Sequence, residues 1–178
     1  MKILFLDIDG VLNHDIWFKS PEYKNHPESW RVSMFDPACV ARVNKILKET
    51  NAKLVVSSSW RDMSDLADIF KGIGLPTEFD VTPYSDVIYP DAFPIDDFFS
   101  EETDIRYWRG SEIQWYLDHN VTEDYTYCIL DDDHDMLPEQ LDYFVSTFNP
   151  YGLTDKLMNK AIDILNNGRT CKANSNQI

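Results

Sequence analysis

The stretch Ile3-Leu-Phe-Leu-Asp-Ile-Asp-Gly-Val-Leu12 runs an apolar, strand-forming segment into two carboxylates and a glycine. An aspartate at the end of a buried strand loses hydration, and only a partner, a proton or a metal offsets that loss. Two later stretches have the same form. Residues 53–56 lead into Ser57-Ser58-Ser59-Trp60-Arg61, and residues 125–130 lead into Asp131-Asp132-Asp133.

Helical periodicity fills the gaps between these strands. Asp36-Pro37 has the form of a helix start, since Asp caps and Pro fits the first turn. Val40, Val43, Ile46 and Leu47 then recur at helical spacing to about Thr50. Leu66, Ile69 and Phe70 mark a second helix ended by Gly72 and Gly74. Ile113, Tyr116 and Leu117 mark a third over 111–119, and Thr154 caps a last one running to 165. Further strands are expected at 79–82 and 144–147. Alternating strands and helices predict an α/β fold, a three-layer parallel sheet covered by helices on both faces. One domain is expected over 1–168, with irregular insertions at 13–35 and 83–108 and a frayed polar tail at 169–178.

Composition agrees with a single core: 178 residues, 43% of them hydrophobic. No window approaches the roughly 20 apolar residues of a membrane span. Met1-Lys2 passes directly into a strand, without the form of a leader peptide. Cys39, Cys128 and Cys171 are scattered, odd in number and without ligand spacing, which suits reduced thiols in a cytoplasmic protein. The net charge of −15 reads as a solvated acidic surface and opposes any extended nucleic-acid track.

Parallel sheets bind ligands beyond the carboxyl ends of their strands. If the three strands are neighbours, Asp7, Asp9, the serines and Asp131 to Asp133 meet in one crevice. So many carboxylates repel unless a cation neutralises them, and all-oxygen donors favour Mg²⁺.

Four stretches in order carry a resemblance: Asp7-Ile8-Asp9-Gly10-Val11, the serines 57–59, Arg109 ahead of Gly110-Ser111, and Ile129-Leu130-Asp131-Asp132. They resemble the four motifs of the haloacid dehalogenase (HAD) superfamily of phosphatases. The Ser-Ser-Trp-Arg segment and the run from Arg109 to Leu117 further resemble phosphatase domains of bacterial and phage RNA-repair proteins, of polynucleotide kinase-phosphatase type. The resemblance implies a Rossmann-like core and a Mg²⁺-dependent phosphatase acting through an aspartyl-phosphate. Asp7 would be the nucleophile and Asp9 the acid and base. Asp7, the Asp9 backbone carbonyl and Asp131 or Asp132 would hold Mg²⁺. Ser57 or Ser58 would bond the transferring phosphoryl group and Arg109 its charge, with Gly10 allowing a sharp turn.

The residues leave alternatives open. The serines could be helix caps, and Arg61 is either a second phosphate ligand or a surface residue. Arg106 competes with Arg109. Asp133 and Asp135 read as supporting or solvated, and His14, His26, His119 and His134 have no metal spacing. Trp17 and Trp30 read as packing residues before stacking platforms. The short insertions imply a minimal cap or none, hence a phosphate on a large substrate such as an oligonucleotide end or a phosphoprotein. The resemblance to RNA-repair phosphatases favours the 3′-phosphate of a nucleic-acid end. The alternatives are a small-molecule phosphatase or nucleotidase, and an inactive phosphate- or Mg²⁺-binding partner module.

Overall fold

A computed structural model describes residues 1–26, 30–88 and 108–173. Five strands, β1 (Lys2–Leu6), β2 (Lys53–Val56), β3 (Asp80–Val81), β4 (Thr126–Asp131) and β5 (Phe144–Ser146), form one sheet in the order β3-β2-β1-β4-β5. Every neighbouring pair is parallel. From β1 the chain moves outward to β2 and β3, then returns to the other side of β1 for β4 and β5. The carboxyl ends of β1 and β4 therefore flank the switch point where such sheets bind ligands.

Side chains alternate along each strand, and the two sets pack against different helices. Leu4, Leu6, Leu54, Val56, Cys128 and Leu130 face the layer containing α4 (Pro37–Thr50), α5 (Leu66–Ile73) and α8 (Asp155–Asn167). Ile3, Phe5, Val55, Tyr127 and Ile129 face α7 (Trp108–Asn120) and the 3-10 turns over Pro138–Tyr143. The predicted three layers are thus present. Asp36 caps α4 by accepting from the Ala38 N–H, and Thr154 caps α8 through the Leu157 N–H.

Four local expectations need correction. The segment 13–35, expected to be irregular, holds three one-turn helices: α1 (Asp15–Lys19), α2 (Pro21–Lys24) and α3 (Trp30–Ser33). Their signal is in capping rather than periodicity, for His14 and Ser20 each accept a backbone N–H of the turn they begin. Helix α7 starts before 111, so Arg109 lies in its first turn and not ahead of it. Strand β4 continues through Asp131, whose carbonyl accepts from the Thr147 N–H at 2.8 Å.

The tail from 169 to 173 is also held. Tyr125 and Cys171 exchange two backbone hydrogen bonds of 3.0 and 2.7 Å, and the Arg169 carbonyl accepts from the Thr126 hydroxyl. In the expected insertion 83–108, α6 (Ser85–Ile88) and the start of α7 are seen; the rest, with Arg106 and the question of a cap, lies outside the described residues, as do 174–178. Among the described residues no helix is long and apolar enough to cross a membrane.

Truncation after Gly168 removes the two bonds to Tyr125, each worth about 1 kcal/mol net. The melting temperature should fall by about 4–8 °C, given roughly 2–4 °C per kcal/mol for a domain of this size. An unchanged melting curve would return the tail to its frayed reading.

Candidate active site

Register builds the site. Leu6 pairs with Val56 on one side and with Leu130 on the other. One step further, Asp7, Ser57 and Asp131 form a row across the end of the sheet. The Asp7 N–H donates to the Leu130 carbonyl and the Ser57 N–H to the Leu6 carbonyl, both at 2.9 Å, so the backbone of the row is as rigid as the strands.

Asp7 is only 6% exposed. Burial pushes its carboxyl above the usual range, while the Arg109 charge and a hydrogen bond from the Ser58 hydroxyl pull it back. Ser58 also accepts from the Trp60 N–H, at the start of the 3-10 turn over Ser59–Asp62. It is a cap and a site residue at once. Ser57 is buried and accepts from the Thr82 hydroxyl at 3.4 Å, whereas Ser59 is exposed.

After Asp7 the chain turns at Gly10, which has φ +68°. A Cβ there would lie 2.3 Å from the Asp132 carboxyl, so only glycine allows this approach. Asp9 is exposed, and both of its oxygens are held: Oδ1 accepts from Asn13 Nδ2 at 2.7 Å and Oδ2 from Trp60 Nε1 at 2.9 Å. Asn13 Oδ1 in turn accepts the Gly10 N–H at 3.0 Å.

Two arginines enter from opposite sides and meet on one carboxylate. Glu112, 5% exposed, accepts Arg61 Nη2 at 2.9 Å and Arg109 Nη1 at 3.4 Å on Oε2. Its Oε1 accepts the Ser85 N–H and hydroxyl. Arg109 also approaches Asp131 Oδ2 at 3.4 Å and Asp7 Oδ1 at 3.8 Å. Arg61 is buried, its guanidinium 3.5 Å from the Tyr84 ring centroid, and its Nε and Nη1 have no hydrogen-bond partner among the described residues. It is therefore a residue of the crevice and not of the surface. Reading the sequence missed Glu112; the one available signal was its place three residues after Arg109 on an otherwise buried helix face.

Asp7, Asp131 and Asp132 bring one carboxylate oxygen each within 4.8 Å of one another. Burial, and then the Asp7 charge, push Asp131 above the usual carboxylate range. Burial and the Asp133 charge push Asp132 the same way. Buried Asp131 Oδ2 has no hydrogen-bond partner among the described residues, although Arg109 lies near. Mutually repelling carboxylates with an uncommitted buried oxygen fit a hard divalent cation such as Mg²⁺. The side chain of Asp9 is outside this group, which leaves its backbone carbonyl as the donor that the resemblance implied.

The other candidates are structural. Asp135 accepts the Arg109 N–H at 3.1 Å, and the Asp133 N–H donates to Asp131 Oδ1 at 3.0 Å. Trp17 is buried, donating its ring N–H to the Ser33 carbonyl, and is a packing residue; the Trp30 side chain lies outside the described ones. His14 lies 2.9 Å from Asp36 Oδ2 and 3.0 Å from the Pro150 carbonyl, beside Cys39. Burial and the Asp36 charge push the Cys39 thiol up to about 12, so it stays protonated and is a poor metal ligand. This cluster fastens the loop after β1 to α4.

A family model described as the HAD domain in Swiss Army Knife RNA repair proteins matches residues 3–158, a span that includes all four motif stretches. No curated protein and no solved structure matches the chain.

Glu112→Ala should cost roughly 3–5 kcal/mol, because it leaves buried Arg61 without a counter-charge. In a domain of this size that is a fall in melting temperature on the order of 10 °C; a shift within error would sink the shared-carboxylate arrangement. Asp7 and Asp131 are raised in the folded state, so the metal-free fold holds protons that the unfolded chain has released. Stability of the metal-free protein should therefore fall as pH rises above about 4. Mg²⁺ should restore it, most at the alkaline end, as a ligand of the folded state alone. Calorimetry with and without Mg²⁺ at several pH values checks the sign.

Proposed function

The chain belongs to the HAD domain family of Swiss Army Knife RNA repair proteins, and on that premise we propose that it is a Mg²⁺-dependent phosphatase removing a terminal 3′-phosphate from a nucleic acid. The observation that carries the reading is the contrast between two aspartates two residues apart. Asp7 is buried against Arg109 and Ser58, while Asp9 is exposed and oriented by Asn13 and Trp60. A phosphate-binding module has no use for the second.

The chemistry follows from these positions. An Asp7 oxygen bonds to phosphorus as the bond from phosphorus to the leaving oxygen breaks, and protonated Asp9 gives that oxygen its proton. The aspartyl-phosphate is then attacked by water, whose proton Asp9 takes, and cleavage of the acyl phosphate frees Asp7 and inorganic phosphate. Ser58 and Arg109 offer donors to the phosphoryl oxygens as charge moves onto them. Mg²⁺ bound by Asp7, Asp131 and Asp132 would supply the positive charge that lets an anionic nucleophile meet an anionic phosphate. Glu112 keeps both arginines extended into the crevice.

The exposure of Asp9 suits a bulky leaving group. Support for a nucleic-acid end comes from the repair context of the family, while the charge of −15 restricts contact to the last one or two nucleotides.

Asp7→Asn should abolish release of phosphate from a 3′-phosphorylated oligonucleotide without altering the fold. Asp9→Asn should lower kcat by roughly 10²–10⁴-fold. More than a few per cent of activity in Asp7→Asn would exclude the covalent route. If a sugar phosphate or a 5′-phosphorylated oligonucleotide had the higher kcat/KM by about tenfold, the 3′-end reading would fall, and the enzyme would act on another phosphomonoester.

A further inference from the structure

Beside the catalytic row a pocket of about 510 Å³ opens at the carboxyl edge of the sheet. Gly10, Asn13 and Asp132 line the part it shares with the site, and Phe18, Phe148 and Pro150 give it apolar surface. Phe148 is 77% exposed, more than any other large apolar side chain among the described residues. Such a ring gains nothing for the fold by facing water.

The turn that presents Phe148 is tightly built. The Phe148 N–H donates to Ser146 Oγ at 3.2 Å, and Asn149 Nδ2 donates to the carbonyls of Thr147 and Gly152 at 2.9 and 3.1 Å. The Leu153 N–H donates to the Val11 carbonyl at 3.0 Å, tying this turn to the loop that carries Asp9. Phe148 is thus an exposed aromatic face on a rigid mount, fixed relative to the catalytic acid. That arrangement binds a flat partner at little entropic cost.

Asp9 indicates what the partner is. Its proton must go to the leaving oxygen, so the body of the leaving group emerges beside Asp9. On one side stands Trp60, half-buried and in a T-shaped ring contact with Phe35. On the other stands Asn13, which lines the pocket. Among the described residues its lining has no lysine or arginine but includes Asp15 and Asp132, so it disfavours a further phosphate. It suits an uncharged ring with a polar edge.

We infer that this pocket receives the base of the terminal nucleoside, stacked on Phe148, and so selects nucleotide leaving groups over other phosphomonoesters. The inference rests on the phosphatase reading proposed above.

The test uses two short oligonucleotides with 3′-phosphates, identical except that one carries a tetrahydrofuran abasic residue at its last position. The wild-type protein should favour the base-bearing substrate by roughly tenfold in kcat/KM, the worth of one base–aromatic stack, chiefly through KM. Phe148→Ala should bring the ratio to about one, and Phe148→Trp should keep it; melting curves of both variants verify the fold. If the wild type releases phosphate from neither substrate, the functional reading fails and takes this inference with it. If the wild type treats the two alike, or if Phe148→Ala retains the preference, the pocket assignment alone is overturned.

Discussion

Two guanidinium groups sharing the Glu112 carboxylate form the constraint around which the crevice is organised. Three buried carboxylates, Asp7, Asp131 and Glu112, stand against Arg61 and Arg109. Had Arg109 closed on Asp7 in a bidentate grip, the strongest of the charge-assisted pairs would have neutralised the Asp7 carboxylate. Glu112 draws one arm of Arg109 away, and the Arg109–Asp7 separation remains 3.8 Å. Burial, joined at Asp131 by the Asp7 charge, keeps both carboxyls above their usual range, and their cluster with Asp132 is receptive to a cation. Folding alone gains little from such an arrangement, since buried ion pairs scarcely repay their desolvation.

The frame that holds these charges is the parallel register, with its loops fastened at a few points. Asp7 and Ser57 leave the sheet at the same level because their strands are bonded there. Gly10 brings the first loop against Asp132, and Asn13 returns to hold both Asp9 and the Gly10 N–H. His14 and Cys39 join the same loop to α4 and to the loop before α8. Groups oriented before the substrate arrives need no reorganisation during the reaction, and this is where much of an enzyme's rate enhancement originates.

The acidity of the whole chain is compatible with phosphate donors in the crevice because the two act over different ranges. Exposed charges farther apart than the Debye length, about 8 Å at physiological ionic strength, are largely screened, whereas buried pairs are not. In the proposed reaction a phosphate in the crevice would meet Arg109 and Ser58, while the net charge of −15 would not guide a longer polyanion towards it. On the proposed reading, affinity for the rest of a substrate would come from uncharged contacts, such as one to the exposed ring of Phe148 in the pocket beside Asn13.

Much of the fold was legible in the sequence because its cause is local. An apolar run that ends in Asp7 and Asp9, and another that ends in Asp131 and Asp132, mark strand ends in their own composition; Asp36-Pro37 and Thr154 mark helix starts in the same way. One-turn helices such as α1 and α2 are too short for periodicity to reveal, and the pairing of Tyr125 with Cys171 joins segments with no shared pattern. The role of Glu112 was hidden for the same reason: a glutamate on a helix is ordinary until the fold puts Arg61 and Ser85 against it. Trp17 read as a packing residue in the sequence and is sealed against Ser33, whereas only packing shows that Phe148, just past β5, is left in water. The sequence by itself determined that the candidate carboxylates stand at the ends of strands, because period and composition act over a few residues. The tertiary structure alone decided which of them share charge and which rings face solvent, because burial and Coulomb interactions depend on distance in space.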